Sequence, residues 1–263
     1  MSIKPICTLD YVCNKSHLLV ISGICFSAVN VANAATTLYT NDFESPDGFV
    51  DTTGRDVSQQ TVSSLYDLAG FSFQQTNTVE TLEINGDVAF GGGYSDPSGT
   101  GGNYAIGMLS TVQDDKLSLT FDVGSFDFLN VFMDISAIDL DGVGGPFGVD
   151  QPIFRASLYD SPGGAFNINS PGTLLDQVDL TGTGTPSQSI FDWTRVVAPL
   201  STEGNTDGNV TFMLDLRQSG YASFDNIRVD ADEIAGVVPV PAAVWLFASG
   251  LLGLIGLARR KKS

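Results

Sequence analysis

The chain has 263 residues, enough for one large domain or two small ones, and carries 12 Lys and Arg against 30 Asp and Glu, a net charge of −18. Hydrophobic residues make up 43% and charged residues 16%, which is too apolar for a disordered acidic tail. The shortage of Lys and Arg excludes a nucleic-acid partner, because neutralising phosphates takes clustered cations, and 29 glycines argue against a helical bundle.

Residues 1–34 read as an export signal. Lys4 and Lys15 precede the apolar run Leu18–Ala28, and Ala32-Asn33-Ala34 is a small-x-small cleavage site before Ala35. Cys7, Cys13, Cys25 and His17 all fall in this segment. A chain starting at Ala35 therefore has no disulfide, no thiolate or imidazole metal ligand and no His-assisted nucleophile. Between Ala35 and Gly236 there are six basic residues against 29 acids, a net charge of −23, and 24 of those acids are Asp. Asp serves turns by bonding its own backbone, and it also supplies short carboxylate ligands for calcium.

Alternation of apolar and polar residues predicts strands in the middle of the chain. The clearest are Lys116–Val123, Leu129–Ile135 and Val210–Arg217, with Leu117, Leu119, Phe121, Val123, Leu129, Val131, Met133, Ile135, Val210, Phe212, Leu214 and Leu216 facing inward. Further strands are expected at Thr37–Phe43, Val79–Ile84, Tyr104–Met108, Phe154–Asp160, Leu174–Leu180, Ile190–Val197 and Ser223–Val229. The expected architecture is all-β, one sandwich over residues 35–229, followed by a short stalk at 230–238. Gly91–Gly102 holds six glycines in twelve residues and reads as a loop.

Three groups of residues are candidates for chemistry. Asp139-Leu140-Asp141-Gly142 resembles the start of a calcium loop, but Val143-Gly144-Gly145 supplies no further acid, so a turn is the expectation. Tyr94 in the glycine loop and Trp193 could stack on sugar rings, Tyr94 being the one expected at the surface and Trp193 being expected in the core. The five Glu residues show no acid/base pattern, so no catalytic residue is assigned and the chain is expected not to be an enzyme.

The C-terminus carries a second address. Ala242–Ala258 is 17 uncharged residues, about 26 Å as a helix at about 1.5 Å per residue, close to the ~30 Å hydrocarbon core of a bilayer. Arg259, Arg260, Lys261 and Lys262 follow and would stay cytoplasmic. Val238-Pro239-Val240-Pro241-Ala242-Ala243, the apolar run and the basic tail together resemble the PEP-CTERM sorting signal in its VPxPAA form, covering residues 239–263. The resemblance implies that a membrane protease-transpeptidase, an exosortase, recognises Pro239 and Pro241 and cuts near them and Ala242. The inner membrane would hold the chain only transiently, before its release to the surface or extracellular matrix of a Gram-negative, exopolysaccharide-producing bacterium. The two prolines keep this segment extended, as a protease requires.

A second resemblance concerns the domain's ends. Asn41-Asp42-Phe43-Glu44 and Phe224-Asp225-Asn226-Ile227-Arg228-Val229 are similar to the first and last strands of jelly-roll carbohydrate-binding and galactose-binding-like modules. It implies adjacent terminal strands, with Asp42, Glu44 and Asp225 holding a structural calcium. Three functions follow in order: a non-enzymatic surface or matrix protein associated with exopolysaccharide or biofilm, a lectin-like module, and a glycan-degrading enzyme.

Overall fold

A computed structural model describes residues 35–66, 70–76, 79–88, 92–109, 115–138, 150–183, 189–218 and 220–236. The export signal, the Pro239–Pro241 motif with Ala242–Ala258 and the basic tail, and the Asp139–Gly142 loop lie outside the described residues. Among the described residues, no helix is long and apolar enough to cross a membrane.

The strands run in chain order as β1 (Thr36–Asn41), β2 (Val57–Ser58), β3 (Gln74–Gln75), β4 (Glu80–Glu83), β5 (Tyr104–Leu109), β6 (Lys116–Asp122), β7 (Phe128–Ala137), β8 (Ile153–Asp160), β9 (Leu174–Thr181), β10 (Thr194–Ser201), β11 (Asn209–Gln218) and β12 (Tyr221–Asp232). One helical turn, α1 (Val62–Leu65), is capped by Thr61, whose side chain accepts from the Ser64 N–H. A seven-stranded sheet has the order β10-β7-β12-β5-β4-β2, with β1 also on β12; a five-stranded sheet has the order β3-β6-β11-β8-β9. All the pairings are antiparallel, and the two sheets form a sandwich.

The expected inward sets of β6, β7 and β11 all lie in the core between the sheets. Phe224 of β12 meets Phe154 of β8 edge-on at 6.4 Å and Phe43 at 5.7 Å, so aromatic packing ties the sheets together at their centre. Truncating such a ring costs roughly 3–5 kcal/mol. A second, smaller cluster sits on the outer face of the seven-stranded sheet. Leu82, Ala105 and Tyr221 are each one position out of phase with core-facing neighbours, and strand alternation turns them outward onto Tyr94, Phe191 and Trp193.

β12 organises the seven-stranded sheet. One edge pairs with β7. The other is shared by β5, opposite Tyr221–Phe224, and by β1, from Ile227 (opposite Asn41) onward. A bulge interrupts the β7 pairing between Asp225 and Arg228, and Asn226 takes φ 51°, a left-handed conformation that Asn tolerates better than most residues. The extra residue switches the alternation: Ala222 and Phe224 face the core before it, Ile227, Val229 and Ala231 after it. β12 also runs to Asp232, three residues past the expected end at Val229, because Ala231 still packs in the core.

Candidate functional site

The bulge, the end of β1 and the start of β5 meet beside Asp225. Asp225 stands directly opposite Asp134 of β7. It is 1% exposed, and its Oδ2 has no hydrogen-bond partner. Burial pushes its carboxyl up to about 9; the Asn226 N–H opposes this, while the charges of Glu44, Asp134 and Asp42 add to it. Asp134 is offset by Arg195, whose Nη1 donates to it at 3.2 Å and to the Asn226 carbonyl at the same distance.

The three residues expected to hold calcium are thus in one region, but they play different parts. Glu44 Oε1 accepts from the Asn103 and Tyr104 N–H groups, and Oε2 accepts from the Asn103 N–H and Nδ2. This fills its lone pairs and ties the chain leaving β1 to the chain entering β5. Gly102 permits the approach: a Cβ there would lie 2.0 Å from Glu44 Oε1. Asp42 accepts from the Glu44 N–H through Oδ1. Phe43 between them has φ 53°, which a bulky residue rarely adopts; its fully buried ring, held edge-on against Tyr66 and Phe224, fixes it there. Asp42 also borders an open cleft of about 410 Å³ with Asn41, Asp47 and Tyr66. Among the described residues, no group of three or more His, Cys, Asp or Glu side chains is placed to hold a metal ion. The orphaned Asp225 Oδ2 suits a cation, whereas Glu44 as it stands does not.

The aromatic expectation needs correction. Tyr94 is 3% exposed, not at the surface, because the glycine loop folds its ring into the outer cluster 6.0 Å from Phe191. Trp193 is half-buried and stacks on Phe191 at 4.8 Å and 8°. Its six-membered ring edge lies against Gly101, where a Cβ would come within 2.6 Å. Phe191 and Trp193 therefore cover the sheet, and β10 begins at Thr194 rather than Ile190.

Next to that cluster runs a polar network that sequence reasoning did not connect. Tyr221 Oη donates to Glu80 Oε2 at 2.9 Å, and Gln59 Nε2 donates to Glu80 Oε1 at 3.0 Å. The Tyr94 and Tyr221 hydroxyls are hydrogen-bonded to each other. Burial pushes the Glu80 carboxyl up, against the pull of Gln59 and Tyr221. Gly107 makes room, since a Cβ there would lie 2.7 Å from Tyr221 Oη. The only sequence signal was Gly107 itself, an isolated glycine inside a strand, which marks a close approach.

Other acids are committed to turns. Burial works against ionisation at Asp51, but the N–H groups of Thr53, Asp56, Gly54 and Arg55 outweigh it and hold its carboxyl below the usual range. Asp160 accepts from Asn205 and Thr206, and Asp207 from Gly163 and Asn209.

No protein-family model and no curated protein matches the chain. Among solved structures, similarity is found at low identity and low TM-score. The K1 cleaved adhesin domain of Lys-gingipain from Porphyromonas gingivalis W83 is 12% identical with a TM-score of 0.39, covering 75% of this chain and 99% of that one. A Stig cyclase from Fischerella sp. TAU is 14% identical at 0.43, covering 76% and 98%. The family 11 carbohydrate-binding module from Clostridium thermocellum, solved with a mixed-linked tetrasaccharide, is 12% identical at 0.31, covering 62% and 89%.

Proposed function

We propose that the chain is an exported, non-enzymatic surface or matrix protein whose β-sandwich is the cargo of the C-terminal sorting segment and associates with extracellular polysaccharide. The observation that carries this reading is the junction. The central strand β12 ends at Asp232, and the Pro-x-Pro motif begins at Pro239, so the sandwich passes almost directly into the segment that resembles a sorting signal. Asn130 pins this exit: its Nδ2 donates to the Ile234 carbonyl at 3.0 Å and its Oδ1 accepts from the Gly236 N–H at 2.6 Å. The use of Asp51, Asp160 and Asp207 as turn acceptors supports a structural rather than a catalytic role for the acids. The processed protein begins at Ala35 and ends near Pro239–Ala242, and it reaches the surface or matrix through an exosortase. Mass spectrometry of envelope and matrix fractions checks this, with Pro239→Ala/Pro241→Ala expected to stay in the inner membrane. Intact Arg259–Lys262 as the main wild-type form would sink it.

The same reading includes a structural calcium ion at the terminal strands, taking Asp225 Oδ2 and Asp42, with backbone carbonyls and waters completing a shell of about 6–8 oxygens. Glu44 supports the loop from outside that shell. A calcium ion would keep Asp225 ionised where burial otherwise favours its neutral form.

A further inference from the structure

The polar network around Glu80 lines a recess open to solvent. We propose that this recess, on the outer face of the seven-stranded sheet, is a binding pocket for one neutral pyranose at the end or branch of a glycan chain. Its walls come from Thr53 and Arg55 in the loop before β2, Val57 of β2, Glu80 of β4, Tyr94 of the glycine loop, Leu109 of β5 and Tyr221 of β12. Its volume is about 170 Å³. That is the share of five or six waters at about 30 Å³ each, and it falls below the ~300–1,000 Å³ of pockets for larger ligands. A single sugar ring fits this size; a run of several rings does not.

The chemistry of the walls matches a polyol. Glu80 offers a carboxylate that already accepts from Tyr221 and Gln59, so its orientation is set before a ligand arrives. Thr53 and Arg55 stand on the exposed rim, the Thr53 hydroxyl held by Asp51 and the Val57 carbonyl at 3.4 and 3.5 Å, and both present polar groups to the recess. Leu109 and Val57 give an apolar wall for the C–H face of a ring. A network meant only to pin the glycine loop would need no opening; here the same buried groups border an open recess.

This proposal rests on the polysaccharide reading, and the experiment separates the two. Full-length protein in detergent is titrated with glucose, galactose and mannose, each as the free sugar and as a tetrasaccharide, with ligand-observed NMR. In parallel, its retardation in gels containing the producing strain's exopolysaccharide is measured. Wild type is expected to bind at least one free sugar and to contact only the terminal ring of the tetrasaccharide. Glu80→Gln should weaken binding roughly tenfold or more, as loss of a hydrogen bond to a charged group does, and Leu109→Arg, which fills the recess, should abolish it. Circular dichroism verifies that each variant is folded, and the isosteric Glu80→Gln variant keeps the test open if Leu109→Arg disturbs β5. Retention of exopolysaccharide binding at wild-type strength by both folded variants overturns the pocket and leaves the polysaccharide reading standing. Contacts spread over all four rings of the tetrasaccharide overturn end-on recognition. Absence of binding to every sugar and to the exopolysaccharide overturns both.

Discussion

Asp215 and Asp225 lie on interior strands of the two sheets and meet opposite surroundings. Each sits on a strand paired on both sides, each is nearly buried, and each has one carboxylate oxygen without a hydrogen bond. Asp215 of β11 lies opposite Lys116 on β6 and Arg155 on β8, and Arg217 reaches it along its own strand at 3.0 Å. Arg155 in turn pairs with Asp179 of β9, so alternating charges cross four strands. Asp225 of β12 lies opposite another acid, Asp134, beside the gap between β1 and β5, with Glu44 and Asp42 nearby. A buried carboxylate flanked by cations is a satisfied structural charge. One flanked by carboxylates must take up a proton or a cation, and this marks the β12 bulge as the region with a solution-dependent state.

The largest effect should come from pH. Without a cation, the folded-state value of Asp225, about 9, lies above the ordinary carboxylate value. The folded form then binds a proton that the unfolded chain has already released. Its favourable contribution is full below about pH 4 and declines as pH rises toward 9, by about 1.4 kcal/mol per unit. Urea melts in EDTA between pH 5 and 8 should therefore lose roughly 4 kcal/mol from this group, and Asp225→Asn should remove the slope and be the more stable protein at pH 8. Asp215→Asn should instead destabilise at all these values. A wild-type profile that is flat in EDTA would show that Asp225 is ionised without help.

Calcium comes next. A ligand that binds only the folded state adds about 2.7 kcal/mol at a hundredfold excess over its Kd. The gain should grow with pH, because the ion replaces a proton on Asp225. Matched sodium controls for general screening of the acidic chain, and magnesium should substitute poorly. Asp225→Asn should lose the response, while Asp215→Asn keeps it. A calcium shift that survives in Asp225→Asn would move the site elsewhere.

Glu44 tests the wall of the gap. Its removal as Glu44→Ala leaves the Asn103 and Tyr104 N–H groups without their acceptor and should cost about 1.5–3 kcal/mol. Hydrogen exchange at Asn103 and Tyr104 should accelerate more than at the core amides of β7; equal acceleration would indicate global rather than local loosening.

Much of this fold was legible from alternation. All ten expected strands form, and the inward sets of β6, β7 and β11 are the core. The two-residue strands β2 and β3 have no period to read. Phe191 and Trp193 resemble the start of a strand because aromatic residues favour strands; only tertiary packing shows them as a cover. Glycine density suggested that Tyr94 was exposed, yet Gly93, at φ 77° and packed against the Gly86 carbonyl, lets the chain fold the ring inward. The nearness of Asp42 and Glu44 to Asp225 came from a resemblance. The facing of Asp225 and Asp134 depends on strand register and a bulge, and neither is written in local sequence.

The smallest effect should be found at the outer end of the five-stranded sheet's charge row. Arg155 donates to Asp179 through Nε at 2.8 Å and Nη2 at 2.9 Å, and this guanidinium holds the Asp179 carboxyl below its usual range. A depressed carboxyl stabilises at neutral pH and loses that contribution as pH falls through its folded value. Both side chains are about a third or more exposed, so water and salt screen the pair, and Asp179→Asn should cost less than about 1 kcal/mol and almost nothing in about 1 M salt. Arg155→Met removes the same pair but also one cation beside the buried Asp215, where screening is weak. It should cost more than Asp179→Asn, and the excess should persist in salt. Equal costs for the two variants would mean that Arg217 and Lys116 suffice for Asp215, and that its contrast with Asp225 does not depend on the row across β8.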